Sequence, residues 1–230
     1  MVQVNENTKL FLRFRFKKQG SLQYISHLDL VRTMHKVIVR AKLPLWYTEG
    51  FNPKPKMIFA APLSIGTESE CEFMDLRMKE YIDPAEAMAR INTNMTSEMQ
   101  IYEAYYPESK FTDLKWMSYR ITIGSPAVTD ELVDRCNALL GGDTVEVQKK
   151  NSEQTMNIRP LIKSAVAKRE GDRLVIDAIL SADPSAFLNP EYIIKALRTG
   201  CDILTSPDLT EEYYEIMRLE AYFGDMTEFR

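Results

Sequence analysis

A change from one hydrophobic period to another within the first forty residues limits what this chain can fold into. Residues 9–17 (KLFLRFRFK) place an apolar side chain at every second position, which predicts a β-strand. Apolar residues then recur at helical spacing from Ser26 to Ala41, and Asp29 stands three residues after Ser26, as in a capping box. We therefore predict a strand followed by an amphipathic helix that ends before Pro44.

The remaining segments extend this pattern into two similar halves. Strands at 57–60, 71–78 and 100–106, with a helix that begins at Asp83-Pro84, complete a β-α-β-β-α-β order. The same order of predicted elements follows between residues 116 and 223, where residues 149–162 fit least well and are interpreted as an insertion. We predict an α+β protein made of two tandem ferredoxin-like (βαββαβ) units with antiparallel sheets, residues 1–110 and residues 111–230.

Charge is distributed unevenly along the chain. Residues 1–66 contain eleven Lys and Arg against three acidic residues, a net charge of +8, whereas residues 67–230 contain eighteen against thirty, a net charge of −12. Such a split indicates that the N-terminal half carries a basic face for a polyanion, while the C-terminal half is acidic. The alternative is that ion pairs between the two regions neutralise the excess charge.

The sequence lacks the features of membrane and secreted proteins. No apolar run approaches the roughly 20 residues that span a bilayer, and the first residues lack the basic start and apolar stretch of a secretory signal. Cys71, Cys136 and Cys201 are too few and too far apart for a disulfide framework or a CxxC motif, so we expect three buried thiols. These observations predict a cytoplasmic protein without a structural metal or a cofactor.

Three cations form one stripe on the first predicted helix. Arg32, Lys36 and Arg40 recur every four residues on the side opposite the apolar face, so they project in the same direction. Phosphate oxygens are natural partners for such a stripe, because cationic side chains displace the counterions condensed on a nucleic acid. A solvated helix face has the same pattern, and the stripe by itself does not distinguish the two.

The segment after this helix, residues 46–56 (WYTEGFNPKPK), combines aromatic, basic and proline residues. The prolines stiffen the backbone, the aromatic rings could stack on unpaired bases, and the lysines could meet phosphates, as in proteins that bind single strands. The alternative is a stiff β-connection with buried aromatic rings. The predicted nucleic-acid-binding residues are Arg32, Lys36, Arg40, Trp46, Tyr47, Phe51, Asn52, Lys54 and Lys56.

A catalytic role is open to one residue. His27 stands at the predicted start of the first helix and has the chemistry of a general base, with Tyr47 or a lysine assisting. A histidine held by Asp29 or a neighbouring carbonyl is the structural alternative, and His35, beside the core positions, is interpreted as structural. The chain lacks GxxxxGK[ST], GxGxxG, GxSxG and CxxxCxxC motifs, so the sequence favours a binding protein over an enzyme.

Several strings resemble a known family. YISHLDL at 24–30, RAKLP at 40–44, GFNPKPK at 50–56 and PLSIG at 62–66, followed by Glu70, are similar to the radical SAM-linked family, a domain of unknown function. Its members are encoded beside, or fused to, a radical SAM protein, often near genes for an RNase E/G-type enzyme and for ribosomal proteins. The resemblance implies a radical SAM partner and an RNA-related pathway. Where this chain has Lys54 the family often has a histidine, which favours a cationic contact there.

From the residues and the resemblance together, we predict an RNA-binding accessory protein that presents its substrate to a radical SAM enzyme. Two alternatives from other classes stay open. One is a metal-independent endoribonuclease that uses His27, and the other is a protein-interaction module whose basic face docks on an acidic partner. The sequence names neither the RNA nor the oligomeric state.

Overall fold

The chain divides into two units, the first ending at Phe111 and including Arg230, and the second spanning Thr112–Phe229. The computed structural model describes residues 10–149, 153–206, 208 and 210–230. Over these residues the fold is α+β, with four α-helices and antiparallel strand pairing, so the predicted fold class is confirmed. Among the described residues, no helix is both long enough and apolar enough to span a bilayer.

The first unit has four strands and two helices in the predicted order. Its sheet has the strand order β4-β1-β3-β2, and each neighbouring pair is antiparallel. The predicted segments and the observed ones agree to within a few residues at their ends. The elements are β1 (Phe11–Lys18), α1 (His27–Arg40), β2 (Met57–Phe59), β3 (Thr67–Arg77), α2 (Pro84–Asn92) and β4 (Ile101–Tyr105).

The second unit has six strands and two helices within the described residues. Four of its strands form an antiparallel sheet with the order β10-β5-β9-β8, and β6 and β7 pair separately, β6 just before residues 149–162, the predicted insertion, and β7 within them. Residues 150–152 of that region lie outside the described residues. The elements are β5 (Trp116–Gly124), α3 (Asp130–Gly141), β6 (Glu146–Gln148), β7 (Thr155–Asn157), β8 (Ile162–Glu170), β9 (Arg173–Ser181), α4 (Glu191–Cys201) and β10 (Tyr213–Tyr222).

The core of the first unit lies on one face of its sheet. Leu12, Phe14 and Phe16 of β1 are fully buried, and they belong to the same apolar cluster as Met34 and Ile38 of α1. The alternation in β1 and the helical spacing in α1 thus supply two apolar surfaces that pack against each other.

The other face of β1 is also buried, which corrects the surface charge expected from the sequence. Arg13 is fully buried, and its guanidinium donates to both carboxylate oxygens of Asp75, at 2.8 and 2.9 Å. Arg15, on the same face as Arg13, is also buried, and so is Lys18, which lies at the end of the strand beside Leu30 of α1. Three of the eleven basic residues of region 1–66 therefore do not contribute to a binding surface. Alternation shows which residues share a face, and it does not show whether that face is covered.

The three cysteines are buried, as predicted. Cys136 of α3 and Cys201 of α4 are hydrogen-bonded neighbours, and burial together with Cys201 raises the pKa of the Cys136 thiol to about 12. A thiol with such a pKa is almost entirely protonated at neutral pH, so it behaves as a small apolar side chain of the core.

The start of α1 is fixed by the predicted cap. Ser26 has extended backbone angles, and its hydroxyl accepts a hydrogen bond from the Asp29 amide at 3.1 Å and donates one to the Asp29 carboxylate at 2.7 Å. Hydrogen bonds from Ser26 and Arg32 hold the pKa of Asp29 below its usual value. An anionic side chain in the first turn also suits the positive end of the helix dipole.

We expect Ser26→Ala to lower the free energy of unfolding of the first unit by about 1 kcal/mol, because it removes the acceptor for a helix N–H. Urea unfolding followed by the fluorescence of Trp46, in a Trp116→Phe background, reports on this unit. Ser26→Thr retains the acceptor and serves as the control. Equal stability of Ser26→Ala and the parent would show that water replaces the cap without loss.

Candidate nucleic-acid interface

The basic stripe of α1 is exposed. Arg32, Lys36 and Arg40 all lie on the solvent side of the helix, opposite the buried positions. Arg32 forms an exposed ion pair with Asp29, at 3.2 Å between Nη1 and Oδ1. Lys36 and Arg40 have no ion-pair partner within the part of the chain that the structure describes. The stripe therefore offers cations that are available to an anionic ligand.

Residues 46–56 form a hairpin that is fastened to the end of β3, and we refer to it as the 46–56 hairpin. Its arms are joined by hydrogen bonds from the Thr48 amide to the Lys54 carbonyl (2.9 Å) and from the Lys56 amide to the Trp46 carbonyl (3.0 Å). The Trp46 amide donates to the Arg77 carbonyl at 2.9 Å, and the Arg77 amide donates to the Lys56 carbonyl at 3.0 Å. The hairpin is therefore held at its base, which leaves its tip to project.

The aromatic rings of the hairpin differ sharply in exposure. Phe51, at the tip, is fully exposed, with a relative accessibility of 112%. It follows Gly50, whose φ of +121° is a conformation that L side chains rarely adopt. Trp46 is half-buried under the Arg77 guanidinium, 4.2 Å from the ring centroid, and Tyr47 packs against the core. Of the three rings predicted to stack on bases, Phe51 is the one presented to solvent.

The polar members of the predicted set lie on the exposed side of the same hairpin. Asn52, Lys54 and Lys56 are exposed. The pKa of His35 on α1 lies below its usual value, first because the ring is partly buried and second because the Lys54 ammonium is nearby. The Lys54 ammonium therefore lies within electrostatic range of His35 on α1. The cations of the stripe and the two hairpin lysines are all exposed, and all belong to the first unit.

His27 lies at the first position of α1 beside a small polar cavity. Its ring is exposed and meets the edge of Phe59, with 5.6 Å between centroids. The cavity measures about 10 Å³, enough for roughly one water molecule. Tyr47, proposed to assist His27, is not among the residues that line it, which are Lys18, Ile25, Ser26, His27, Leu30, Phe59, Ala61, Leu63 and Glu72.

Two buried charges beside this cavity escaped the sequence analysis. The Lys18 ammonium donates to the carbonyls of Leu22, Gln23 and Thr67 at 3.2–3.4 Å, so it ties the segment before α1 to the start of β3. Glu72 of β3 also lines the cavity and is 5% exposed. Nothing in the local sequence separates these residues from surface charges, because their burial depends on segments about fifty residues apart.

Among the described residues, no three His, Cys, Asp or Glu side chains are placed to hold a metal ion.

The architecture and the exposed basic surface define an α+β protein with a candidate polyanion-binding face. The chain belongs to the family described as an uncharacterized protein conserved in bacteria (DUF2344), whose model matches residues 12–190. This agrees with the resemblance to a domain of unknown function. The family description does not link it to radical SAM proteins, so that partner stays a prediction. No curated protein matches the chain.

Three solved structures are similar to the chain, all at low sequence identity. A Cbf5-Nop10-Gar1 complex matches at 8% identity and a TM-score of 0.49, covering 91% of this chain and 48% of that one. An H/ACA RNP bound to a substrate RNA containing 2'-deoxyuridine matches at 10% identity and a TM-score of 0.47, covering 95% and 49%. An unknown protein from Galdieria sulphuraria matches at 8% identity and a TM-score of 0.27, covering 91% and 98%.

The chain spans about half the length of the chains it matches in the first two of these structures. At such TM-scores the similarity carries no argument about function, so function has to be inferred from the residues of this chain.

Proposed function

We propose that this chain binds single-stranded RNA through a face formed by the α1 stripe and the 46–56 hairpin. The observation that carries the proposal is the exposed ring of Phe51 at the tip of a hairpin held at its base, with Lys54 and Lys56 exposed on the same hairpin. Single-strand-binding proteins combine these two elements, since bases stack on aromatic rings while cations follow the backbone phosphates.

The arrangement of the cations supports a strand as the ligand. Arg32, Lys36 and Arg40 are one helical turn apart, so the stripe extends over about 12 Å along α1. Lys54 lies next to the flank of the same helix. An extended polyanion would contact these cations in succession and release a condensed counterion at each of them.

The proposal includes an accessory role. An α1 stripe and a projecting hairpin form an open face that leaves much of a bound strand accessible, which suits a protein that presents RNA to another enzyme. The proposal that this enzyme is a radical SAM protein rests only on the resemblance of residues 24–66 to the radical SAM-linked family. No feature of the fold bears on it. The endoribonuclease alternative receives less support, because Tyr47, proposed to assist His27, packs against the core and does not line the cavity beside His27.

We also propose that the two units are tandem ferredoxin-like folds. In each unit the fourth strand of the βαββαβ order pairs with the first, the first with the third and the third with the second. The β6–β7 hairpin would then be an insertion into the second unit. An experimental structure in which either unit has a different strand order would contradict this assignment.

Phe51→Ala is expected to weaken RNA binding by about 1–3 kcal/mol, because stacking of one base on an aromatic ring contributes roughly that amount. The dependence of affinity on salt should not change, since stacking releases no counterions. Fluorescence anisotropy with an unstructured RNA of roughly 16 nucleotides, the upper end of site sizes for one binding fold, measures both quantities.

Phe51→Trp is the matched control, because it retains a ring at the same position, and it should bind at least as tightly as the wild type. Loss of affinity in both variants would show that the hairpin conformation matters and the ring does not. Wild-type affinity in Phe51→Ala would remove stacking from the proposal. Binding of an acidic protein, with no binding of RNA, would support the interaction module instead.

A further inference from the structure

A concave groove lies between the C-terminal ends of α1 and α2, at the end of the basic stripe. Its volume is about 580 Å³, within the range of sites that bind small ligands or parts of larger ones. Two alanines, Ala41 and Ala89, leave space between the helices, and longer polar side chains surround them. The residues that line the groove are Arg40, Ala41, Lys42, Ala89, Arg90, Thr93 and Asn94.

The charge of the groove is positive. Arg40, Lys42 and Arg90 supply three cations, and none of the lining residues is acidic. The Arg90 guanidinium is held in place, since it donates to the Glu86 carboxylate at 2.5 Å and to the Lys42 carbonyl at 3.4 Å. The groove therefore has a hydrogen-bonded guanidinium on one side and two exposed cations on the other.

The helix ends do not account for these cations. Each helix C-terminus carries an effective charge of about −0.5, so two of them offset roughly one of the three positive charges, and the Glu86 carboxylate paired with Arg90 offsets another. The carbonyls near the end of α2 also have other donors, because Thr93 Oγ1 and Asn94 Nδ2 both donate to the Arg90 carbonyl, at 2.8 and 3.1 Å. A net positive charge remains for an anionic ligand.

Arg40 connects the groove to the proposed RNA face, because it ends the stripe and also lines the groove. We propose that the groove is a phosphate-binding subsite that takes a phosphate of the RNA strand bound along α1. This inference rests on the proposed function and extends it by two residues, Lys42 and Arg90, that the sequence did not single out. The phosphate would be either an internal one of a strand that continues beyond Arg40 or the terminal phosphate of a strand that ends there.

The test is a double variant, Lys42→Gly with Arg90→Gln. Lys42 has a φ of +52°, a left-handed conformation that glycine adopts without strain, so this change removes the charge and preserves the turn. Glutamine retains the helix propensity of position 90. Lys149→Gln with Arg173→Gln, at two exposed positions of the second unit, removes the same charge and is the matched control. Thermal melting of all variants verifies folding.

The groove variant should flatten the slope of log affinity against log salt by about 0.7, since the groove takes one phosphate and each phosphate contact on a single strand contributes about 0.7. The control pair should leave the slope unchanged. RNAs with a 5'-phosphate, a 3'-phosphate or only hydroxyl ends identify the phosphate. If a terminal phosphate occupies the groove, one phosphorylated RNA binds more tightly and the variant abolishes that advantage. If an internal phosphate occupies it, all three lose affinity equally.

Three results would overturn the inference in different ways. A folded groove variant with the wild-type slope on all three RNAs, together with a flattened slope when the α1 stripe is removed, would exclude the groove and leave the proposed function intact. Wild-type protein that binds none of the RNAs would overturn the proposed function and the subsite with it. If the control pair flattens the salt slope as much as the groove variant does, the overall charge of the protein determines the salt dependence and the groove does not.

Discussion

Replacement of Arg13 by methionine will lower the free energy of unfolding of the first unit by about 3–5 kcal/mol. The guanidinium is fully buried and bonds to both oxygens of Asp75, whose side chain is 10% exposed. It also donates to the Ser109 hydroxyl at 2.8 Å and to the Ser109 carbonyl at 3.1 Å, and its face lies 4.4 Å from the centroid of the Phe111 ring. Removing Arg13 leaves the Asp75 carboxylate buried without its counter-ion, which is the costly part of the change.

An exposed Arg–Asp ion pair provides the control. Arg120 Nε lies 2.8 Å from Asp177 Oδ1, the same distance as between Arg13 Nε and Asp75 Oδ1, but its side chain is 48% exposed. Arg120→Met should therefore lower the free energy of unfolding by only about 0–1 kcal/mol, because water screens an exposed ion pair and hydrates the carboxylate that remains. Urea unfolding of the two variants, followed by Trp46 for the first unit and Trp116 for the second, measures the difference.

A second comparison separates the lost partner from the lost contact. Arg13→Met combined with Asp75→Leu removes both charges, so most of the stability should return, since an apolar pair of similar size often replaces a buried ion pair without loss. Equal destabilisation by Arg13→Met and Arg120→Met would show that Arg13 is hydrated in solution. Arg13 would then belong to the exposed cations that could contribute to a binding surface.

The second large effect concerns binding. Arg32→Gln, Lys36→Gln and Arg40→Gln together should flatten the slope of log RNA affinity against log salt by about two, because three phosphate contacts at about 0.7 each are lost. Folding should be almost unaffected, since all three side chains are exposed and the apolar face of α1 is untouched. The Arg32–Asp29 pair is exposed, so its loss is expected to contribute little.

The matched control for the stripe is a triple glutamine variant of Lys149, Lys163 and Arg173, three cations of the second unit. It changes net charge by the same amount and should leave the salt slope as it is in the wild type. A stripe variant with wild-type affinity and wild-type salt dependence would show that Arg32, Lys36 and Arg40 are only the solvated side of a helix.

Much of the fold could be predicted because its signals are local. Ser26 and Asp29 mark the start of α1 within four residues, and Asp83 with Pro84 marks the start of α2 in the same way. The alternation of apolar and polar residues in β1 is also a local signal, and it predicted this strand. The strand β7, within residues 149–162, was not predicted, because it is three residues long and obtains its partner, β6, only from the folded chain.

The candidate site was less predictable, because burial depends on contacts distant in sequence. Arg13 and Arg15 appear in the sequence as the polar side of a strand, and only pairing with β3 and β4 reveals them as interior charges. Trp46 and Phe51 look equivalent within one short loop. Arg77, thirty-one residues after Trp46, covers the first ring, whereas the second stands at the hairpin tip.

The most direct test of the proposed RNA face is the salt dependence of wild-type binding. Anisotropy of a labelled, unstructured RNA, measured from low to moderate salt, should give a log–log slope of about −3.5 if Arg32, Lys36, Arg40, Lys54 and Lys56 each contact one phosphate. Occupation of the groove by one phosphate would make the slope steeper by about 0.7. Absence of binding at low salt, or an affinity that does not change with salt, would contradict the proposed RNA face.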